Sequence, residues 1–159
     1  MSENLSPALV LGNVNEVQED IDGLKVRLQR LDHPAGVITD WVRIATPMAG
    51  NKYGFCFAPE VGDLAVAAFQ GERPIVLGFI YGGGAATPST DPAQRIIGSV
   101  DGNAILFTDG QDSGVTLRDK HGNQIVMDAD GISISTNKDL KLTASGTTTI
   151  KGATVELNP

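Results

Sequence analysis

"DGISISTNKDLKLTASGTTTIKGATVELNP", at Asp130–Pro159, consists of pairs of mostly apolar residues at alternating positions, separated by polar turns. Side chains two residues apart in a strand point to the same face, so each pair predicts a short strand with one apolar face. Gly, Asp, Asn and Lys between the pairs favour turns. The same pattern starts upstream, and its pairs are Ile105/Phe107, Val115/Leu117, Ile125/Met127, Ile132/Ile134, Leu140/Leu142, Thr148/Ile150 and Val155/Leu157.

This β-repeat is too short to build a core from one chain. A solenoid with about three strands per coil would have only about two coils here, whereas repeat arrays generally need about three units. If three copies each supply one face of a triangular prism, every apolar pair points to a shared axis. The sequence therefore predicts an intertwined homotrimeric triangular β-helix over 99–159, whose stability belongs to the trimer. The predicted axis residues are Val115, Leu117, Ile125, Met127, Ile132, Ile134, Leu140, Leu142 and Ile150.

The first half of the chain predicts a separate all-β domain over 1–82. Five or six short strands without helical connections are typical of a Greek-key barrel of the OB type. The stretch "YGGGAATPSTDPAQR" (81–95) is rich in Gly, Pro, Ser and Thr, and it predicts a linker at 83–98. The expected strands are 8–14, 24–31, 40–46, 53–57, 63–69 and 74–80.

The composition excludes several classes of protein. The formal net charge of -7 has the wrong sign for a general phosphate-backbone binder. The single cysteine, Cys56, excludes an intramolecular disulfide and fits synthesis in a reducing compartment. The start "MSENLSPALVLGN" lacks the basic region of a signal peptide, and no stretch approaches the roughly 18 apolar residues of a spanning helix. We therefore expect cytoplasmic synthesis without a signal peptide.

Most aromatic residues lie in the predicted barrel. OB barrels that bind single-stranded nucleic acid combine stacking aromatics with a basic groove, but the basic residues here are scattered. We therefore expect these rings to fill the barrel, and we expect no nucleic-acid partner. The residues are Trp41, Tyr53, Phe55, Phe57, Phe69, Phe79 and Tyr81.

The segment "WVRIATPMAGNKYGFCFAPEVGDLAVAAFQGERPIVLGFIYGG" (41–83) resembles the OB-domain signature of contractile-tail spike proteins. These are the phage baseplate assembly protein V and the VgrG-type spikes of type VI secretion and related injection particles. The repeat at 96–157 is similar to the β-helical needle of the same proteins, so the resemblance covers roughly 8–157. The residues that carry the OB signature are Trp41, Pro59, Gly62, Asp63, Phe69, Pro74 and Gly78.

The resemblance implies a mechanical role without catalysis or cofactors. Such a spike caps the inner tube and hub of a phage tail, tailocin or type VI-like particle, and it pierces the target envelope with transient membrane contact. Larger relatives carry their own hub domain, whereas this chain begins almost directly in the barrel, so we expect a separate hub protein at the OB platform. Only the linker stands where some relatives insert a lysozyme. The His-x-His iron motif of some needles has no counterpart, since the histidines are His33 and His121.

The end "TVELNP" predicts a blunt, partly apolar tip on a trimeric needle. We expect Val155, Leu157, Asn158 and Pro159 to dock a separate tip protein of the PAAR-repeat kind. The alternative is a frayed terminus.

Other motifs predict turns rather than chemistry. "DGNAILFTDGQDSG" (101–114) does not match an EF-hand loop, and its Asp-Gly pairs suit tight hairpins. "YGGGAAT" lacks the Gly-Lys-Ser/Thr of a phosphate loop, His121 fits a solvated turn, and Cys56 has no visible catalytic partner. A glycosidase pair among Asp101, Asp109 and Asp112, assembled across protomers, would give the alternative function, a receptor-binding or polysaccharide-degrading β-helical tail fibre.

Overall fold

A computed structural model describes residues 8–18, 23–34, 36–69, 74–82 and 84–157. The chain divides into two compact units, Met1–Thr87 and Pro88–Pro159. The described residues of both units form strands, turns and loops, and none of them lies in a helix. The all-β prediction is confirmed.

The first unit is a closed five-stranded barrel, as predicted. Its strand order is β1-β2-β3-β7-β6, with antiparallel pairing throughout except for the parallel pair β3–β7. Between β3 and β6 along the chain, β4 and β5 form a separate two-stranded hairpin. The strands are β1 (Ala8–Gln18), β2 (Lys25–Arg30), β3 (Val42–Ile44), β4 (Ala49–Gly50), β5 (Tyr53–Gly54), β6 (Leu64–Phe69) and β7 (Ile75–Ile80).

The interior of the barrel is filled by small and branched aliphatic side chains. A barrel of few strands encloses a narrow space, which such residues fill without strain. The expectation that the aromatic rings fill it is wrong. Phe69 packs against the core, while the other rings, including Trp41 and Phe79, are exposed. The buried cluster is Val14, Val26, Leu28, Val42, Ala65, Ala67 and Val76.

The predicted strand at 53–57 is shortened to β5. Gly54 has a φ of 140°, which turns the backbone out of the strand conformation. The N–H of Phe55 then donates to the carbonyl of Met48 at 3.0 Å, which closes the hairpin. Residues 55–57 continue as an exposed loop.

The second unit is a five-stranded antiparallel meander. Its strands are β8 (Gln94–Gly98), β9 (Ala104–Thr108), β10 (Gly114–Arg118), β11 (Gln124–Asp128) and β12 (Gly131–Ser135), each paired with the next along the chain. The strand β8 occupies the last part of the segment predicted as linker. Within one chain the described residues therefore form hairpins, not β-helical coils, and the trimeric prism stays a prediction.

Tight turns explain why the strands fold back on each other. Gly102, Gly110, Gly122 and Gly131 have φ values between 87° and 127°, in the region that glycine reaches without steric cost. Such turns reverse the chain, whereas a coil around a prism requires a smaller change of direction. The sequence predicts the positions of these turns correctly, but it does not predict the angle by which the chain changes direction at them.

The tail, residues 136–157, contains no strand. Every side chain from 137 to 157 is exposed. The apolar pairs at Leu140/Leu142, Thr148/Ile150 and Val155/Leu157 were predicted as strands, which one chain does not form. A strand requires a neighbour for its backbone N–H and C=O groups, and none of the described strands pairs with the tail.

Candidate functional site

The meander brings the predicted axis residues of 115–134 onto one side of the sheet. Residues opposite each other in an antiparallel pair share a face. One row runs through Phe107, Val115, Met127 and Ile132, and a second runs through Ile97, Ile105, Leu117, Ile125 and Ile134. We call these nine residues the apolar sheet face.

Among the described residues of the second unit, none forms a layer over the apolar sheet face. Ile132 is 73% exposed and Ile134 is 55% exposed. Ala104 is the one buried residue among those described between 88 and 157. A sheet with one apolar face becomes stable by packing that face against another layer, and full burial of each aliphatic side chain contributes about 1.5–3 kcal/mol. The face is therefore a candidate oligomerisation interface.

The opposite side of the sheet is mixed rather than polar. Thr116 and Ser133 lie in its central row, but Ile96, Leu106 and Val126 lie there too and are half-buried. The rule of alternating apolar pairs missed this row, because the middle residues of "ILF" and "IVM" are also apolar. Strands that are apolar on both sides are typical of sheets covered on both sides.

A ladder of two turns holds one end of the sheet. The turn 119–123 repeats the turn 99–103 after 20 residues, with Gly and Asn at matching positions. The Lys120 N–H donates to Asn103 Oδ1 at 3.1 Å, and the Thr136 hydroxyl donates to Asn123 Oδ1 at 2.6 Å. The asparagines therefore link each turn to the next. The Gly-Asn pairs at 102–103 and 122–123 are the sequence signal for this ladder.

Within this ladder the Asp119 carboxylate accepts three hydrogen bonds. The donors are the side-chain N–H of Asn123 at 2.7 Å, the His121 N–H at 2.8 Å and the Asn123 N–H at 2.9 Å. The Asn123 side chain, together with the backbone N–H groups, lowers the pKa of Asp119 below its usual range. His121 is an exposed turn residue, as predicted.

Asp101 and Asp109, two of the acidic residues considered for catalysis, lie at opposite ends of a strand. Asp101 pairs with Lys120 at 2.6 Å in the turn after β8, whereas Asp109 pairs with Arg95 at the other end of β9. Five residues of strand span about 16 Å, which exceeds the separation of a glycosidase pair. The described residues contain no group of three or more His, Cys, Asp or Glu side chains placed to hold a metal ion.

The OB-signature residues organise the barrel. The Glu60 N–H donates to the Asp63 carboxylate at 2.9 Å, and the Gly62 N–H donates to the Val14 carbonyl at 2.8 Å. Pro59 is buried beside this turn in the sequence. The "PEVGD" turn thereby closes the connection into β6, and Gly78 lies opposite Val66 in the β6–β7 ladder.

Three further signature residues flank the strands. Trp41 and Phe69 each carry an arginine over the ring, Arg27 at 5.9 Å and Arg30 at 4.5 Å from the centroids. Pro74 precedes β7 and is half-buried. These contacts are structural.

Of the predicted tip residues, Val155 is half exposed and Leu157 is 81% exposed. Asn158 and Pro159 lie outside the described residues. The remaining predicted axis residues, Leu140, Leu142 and Ile150, are exposed in the tail. One chain therefore does not bring them to the apolar sheet face.

Two models of known families match the chain, one in each unit. Residues 10–81 match the family model of the type VI secretion system/phage-baseplate injector OB domain. Residues 94–159 match the model of the phage baseplate V C-terminal trimerisation domain, and this range contains the whole apolar sheet face. No individual curated protein matches the chain.

Both matched models describe structural domains of baseplates and injectors, which are components of phage tails or related particles. The chain belongs to the baseplate V family of spike proteins. Its C-terminal unit is a trimerisation domain, so the protein is a homotrimer. In the part of the chain that the structure describes, no helix is long and apolar enough to cross a membrane.

Proposed function

We propose that this protein is the central spike of a contractile injection machine. Three copies associate through the apolar sheet face to form a stiff needle, the barrels join the end of the inner tube, and sheath contraction drives the needle through the target envelope. The observation that carries the proposal is the apolar sheet face, aligned in register across five strands and left exposed by the single chain.

The tail completes the needle in this proposal. Its exposed apolar pairs continue the spacing of the meander, but none of them lies in a strand of the part of the chain that the structure describes. Three tails wound around one axis would supply each other's hydrogen bonds and bury Leu140, Leu142 and Ile150. The result is a triangular prism without free lateral edges, which resists unzipping under load.

The two ends of the spike would bind different proteins. The barrel would contact a separate hub protein, since the matched OB domain belongs to phage-baseplate injectors. The end of the needle would present Val155 and Leu157, with Asn158 and Pro159, from three chains to a PAAR-like tip protein. Deletion of 155–159 should leave the trimer intact and remove the tip protein from assembled particles. Retention of the tip protein by the deleted spike would disprove this docking site.

The solution mass of the purified chain tests the proposal. We expect one species at three times the chain mass of 16.7 kDa, measured by light scattering, and dissociation when residues 94–159 are deleted. Negative-stain images should show a narrow rod attached to a wider head. A trimer without a rod would contradict the needle while leaving the family assignment intact, and a monomer at micromolar concentration would contradict the proposal as a whole.

A further inference from the structure

The barrel has an apolar outer surface that its own interior does not need. Inward positions on β1 and β6 are filled by Val10, Val14, Ala65 and Ala67. A barrel strand with one side in water normally alternates apolar with polar residues, as β2 does with Lys25, Arg27 and Gln29 between its buried positions. The outward positions of β6 are instead Leu64, Val66 and Ala68.

This apolar character extends over three neighbouring strands. The ladder places Leu9 opposite Ala68, Leu11 opposite Val66, Ala68 opposite Ile75 and Leu64 opposite Ile80. Leu77 is the extra residue at the bulge between β6 and β7, and it is exposed. We call this surface the outer barrel face, and it consists of Leu9, Leu11, Leu64, Val66, Ala68, Ile75, Leu77 and Ile80.

A second exposed apolar surface lies in the loop that contains β4 and β5. Met48, Tyr53, Phe55 and Phe57 are all exposed, with Tyr53 at 68%. We call residues 48–57 the apolar loop. Its shape is fixed, because the Thr46 hydroxyl donates to the Phe55 carbonyl at 2.8 Å and Phe55 itself bonds to Met48.

We propose that the outer barrel face of one protomer packs against the apolar loop of the next protomer in the trimer. The proposal deepens the proposed function, on which it rests. A cyclic trimer joins two different surfaces of each copy around a ring, and the first unit has two such surfaces. The trimerisation domain holds three barrels together at an effective concentration that reaches millimolar for short linkers.

The charge of the protein favours contact between the outer barrel face and the apolar loop over contact between other surfaces of two copies. Each copy has a net charge of -7, so copies repel each other on average. None of the eight residues of the outer barrel face is charged, and the apolar loop contains no carboxylate, its one charged residue being Lys52. Contact between these two surfaces buries apolar area without desolvating a carboxylate.

The single native cysteine provides a reporter for this contact. Cys56 lies between Phe55 and Phe57 in the apolar loop and is exposed in the single chain. In the full-length trimer, we expect a maleimide probe to react with Cys56 several-fold more slowly than in a dissociated Ile134→Asp variant. Equal rates would overturn the proposal, and protection that persists in the dissociated variant would show that the chain covers its own loop, which also overturns it.

A cross-linking experiment identifies the surface on the neighbouring copy. Leu11→Cys, combined with native Cys56 and treated with a short bismaleimide, should give covalent dimers and trimers on denaturing gels. The matched control is Glu16→Cys, which lies on the same strand but is exposed outside the outer barrel face. It should give no more cross-linking than the unmodified chain.

The outcomes separate this inference from the proposed function. A monomeric wild-type chain would refute both. A trimer by light scattering with no cross-linking from Leu11→Cys, or with equal cross-linking from Glu16→Cys, would refute the barrel contact alone. If Leu11→Cys itself lowers the trimer mass, Leu9→Cys repeats the experiment from the more exposed position at the end of the same face, under the same two criteria.

Discussion

At the scale of single residues, Asp119 shows how one side chain fixes the geometry of the second unit. Its carboxylate gathers three N–H donors in the turn between β10 and β11. Asn123 then connects that turn to Thr136, where the tail begins. The turn therefore sets both the register of the hairpin and the starting point of the tail.

The pH dependence of stability should report this carboxylate. Because the folded pKa of Asp119 is lowered, its stabilisation is present above the unfolded pKa of about 4 and is lost as the pH falls through the lower folded value. Asp119→Asn should lower the melting temperature at neutral pH, and its difference from wild type should shrink below about pH 4. Asp112→Asn, at an exposed turn position, is the control and should show no such convergence. A difference that stays constant with pH would contradict the assigned role.

The apolar loop depends on Gly54 in a similar way. A Cβ at this position would meet the backbone carbonyl of Met48 and would also occupy a φ of 140°. Gly54→Ala should destabilise the first unit by about 1–3 kcal/mol through backbone strain, with a further loss from the clash. Gly36→Ala is the matched control, since Gly36 has a φ of 104° but open space around its Cβ position. Thermal melts should show the larger loss for Gly54→Ala, and equal losses would mean that the clash is relieved.

At the scale of elements, strands β9, β10 and β11 combine a period-two pattern with a glycine turn on each side, and they form where the sequence predicts them. Val115/Leu117 and Ile125/Met127 form strands within one residue of the prediction, because Gly110, Gly122 and Gly131 reverse the chain between them. In the tail, the pattern persists but the described residues include no glycine at positive φ beyond Gly131. The tail therefore has the side-chain pattern of strands without the turns that would pair them.

The two sides of β12 should respond differently to charge. Ile134 lies on the apolar sheet face and Ser135 on the other side. Ile134→Asp would bury an unpaired charge in the trimer, at about 3–5 kcal/mol per chain, and should abolish the trimer in light scattering. Ser135→Asp should leave the mass unchanged. Equal damage from both, or none from either, would mean that the apolar sheet face is not the trimer interface.

The barrel shows the opposite limit of sequence reasoning. Its existence was predictable from strand count and turn spacing, but the placement of its aromatic residues was not. Alternating residues define the two faces of a strand, but they do not show which face points into the barrel. The interior of a five-stranded barrel is narrow and is filled by small aliphatic side chains such as Val and Ala rather than by aromatic rings. The exposed aromatic side chains therefore form a surface whose role has to be explained by contacts outside the single barrel.

At the scale of the whole molecule, we expect folding and association to be coupled. One chain has a small buried cluster in the barrel and almost none in the second unit. The Gly, Pro, Ser and Thr residues of the sequence predict a linker at 83–98, and the boundary between the two compact units, Thr87/Pro88, falls within that segment. The residues of the proposed hub contact cannot be predicted in this way, since a surface for another protein follows no internal period.

Thermal stability should consequently depend on protein concentration. Unfolding of a trimer to three chains shifts by about 2.7 kcal/mol per trimer on tenfold dilution, since two association steps each change by about 1.4 kcal/mol. Differential scanning calorimetry should show a lower melting temperature on dilution for wild type. The Ile134→Asp variant should show no dependence. A concentration-independent wild-type transition would contradict coupled folding and association.

The meander consists of hairpins, whereas the tail contains no strand, and this difference implies an order of assembly. Hairpins join residues close in sequence and form in microseconds, whereas contacts between chains wait for encounter. Each chain should therefore fold its meander first, and three meanders meeting in register would align their tails at Thr136. In the proposed needle, the tails would then wind together from that point toward the C-terminus. The register between the three tails, in which a repetitive sequence easily slips, would therefore be set before the tails begin to assemble.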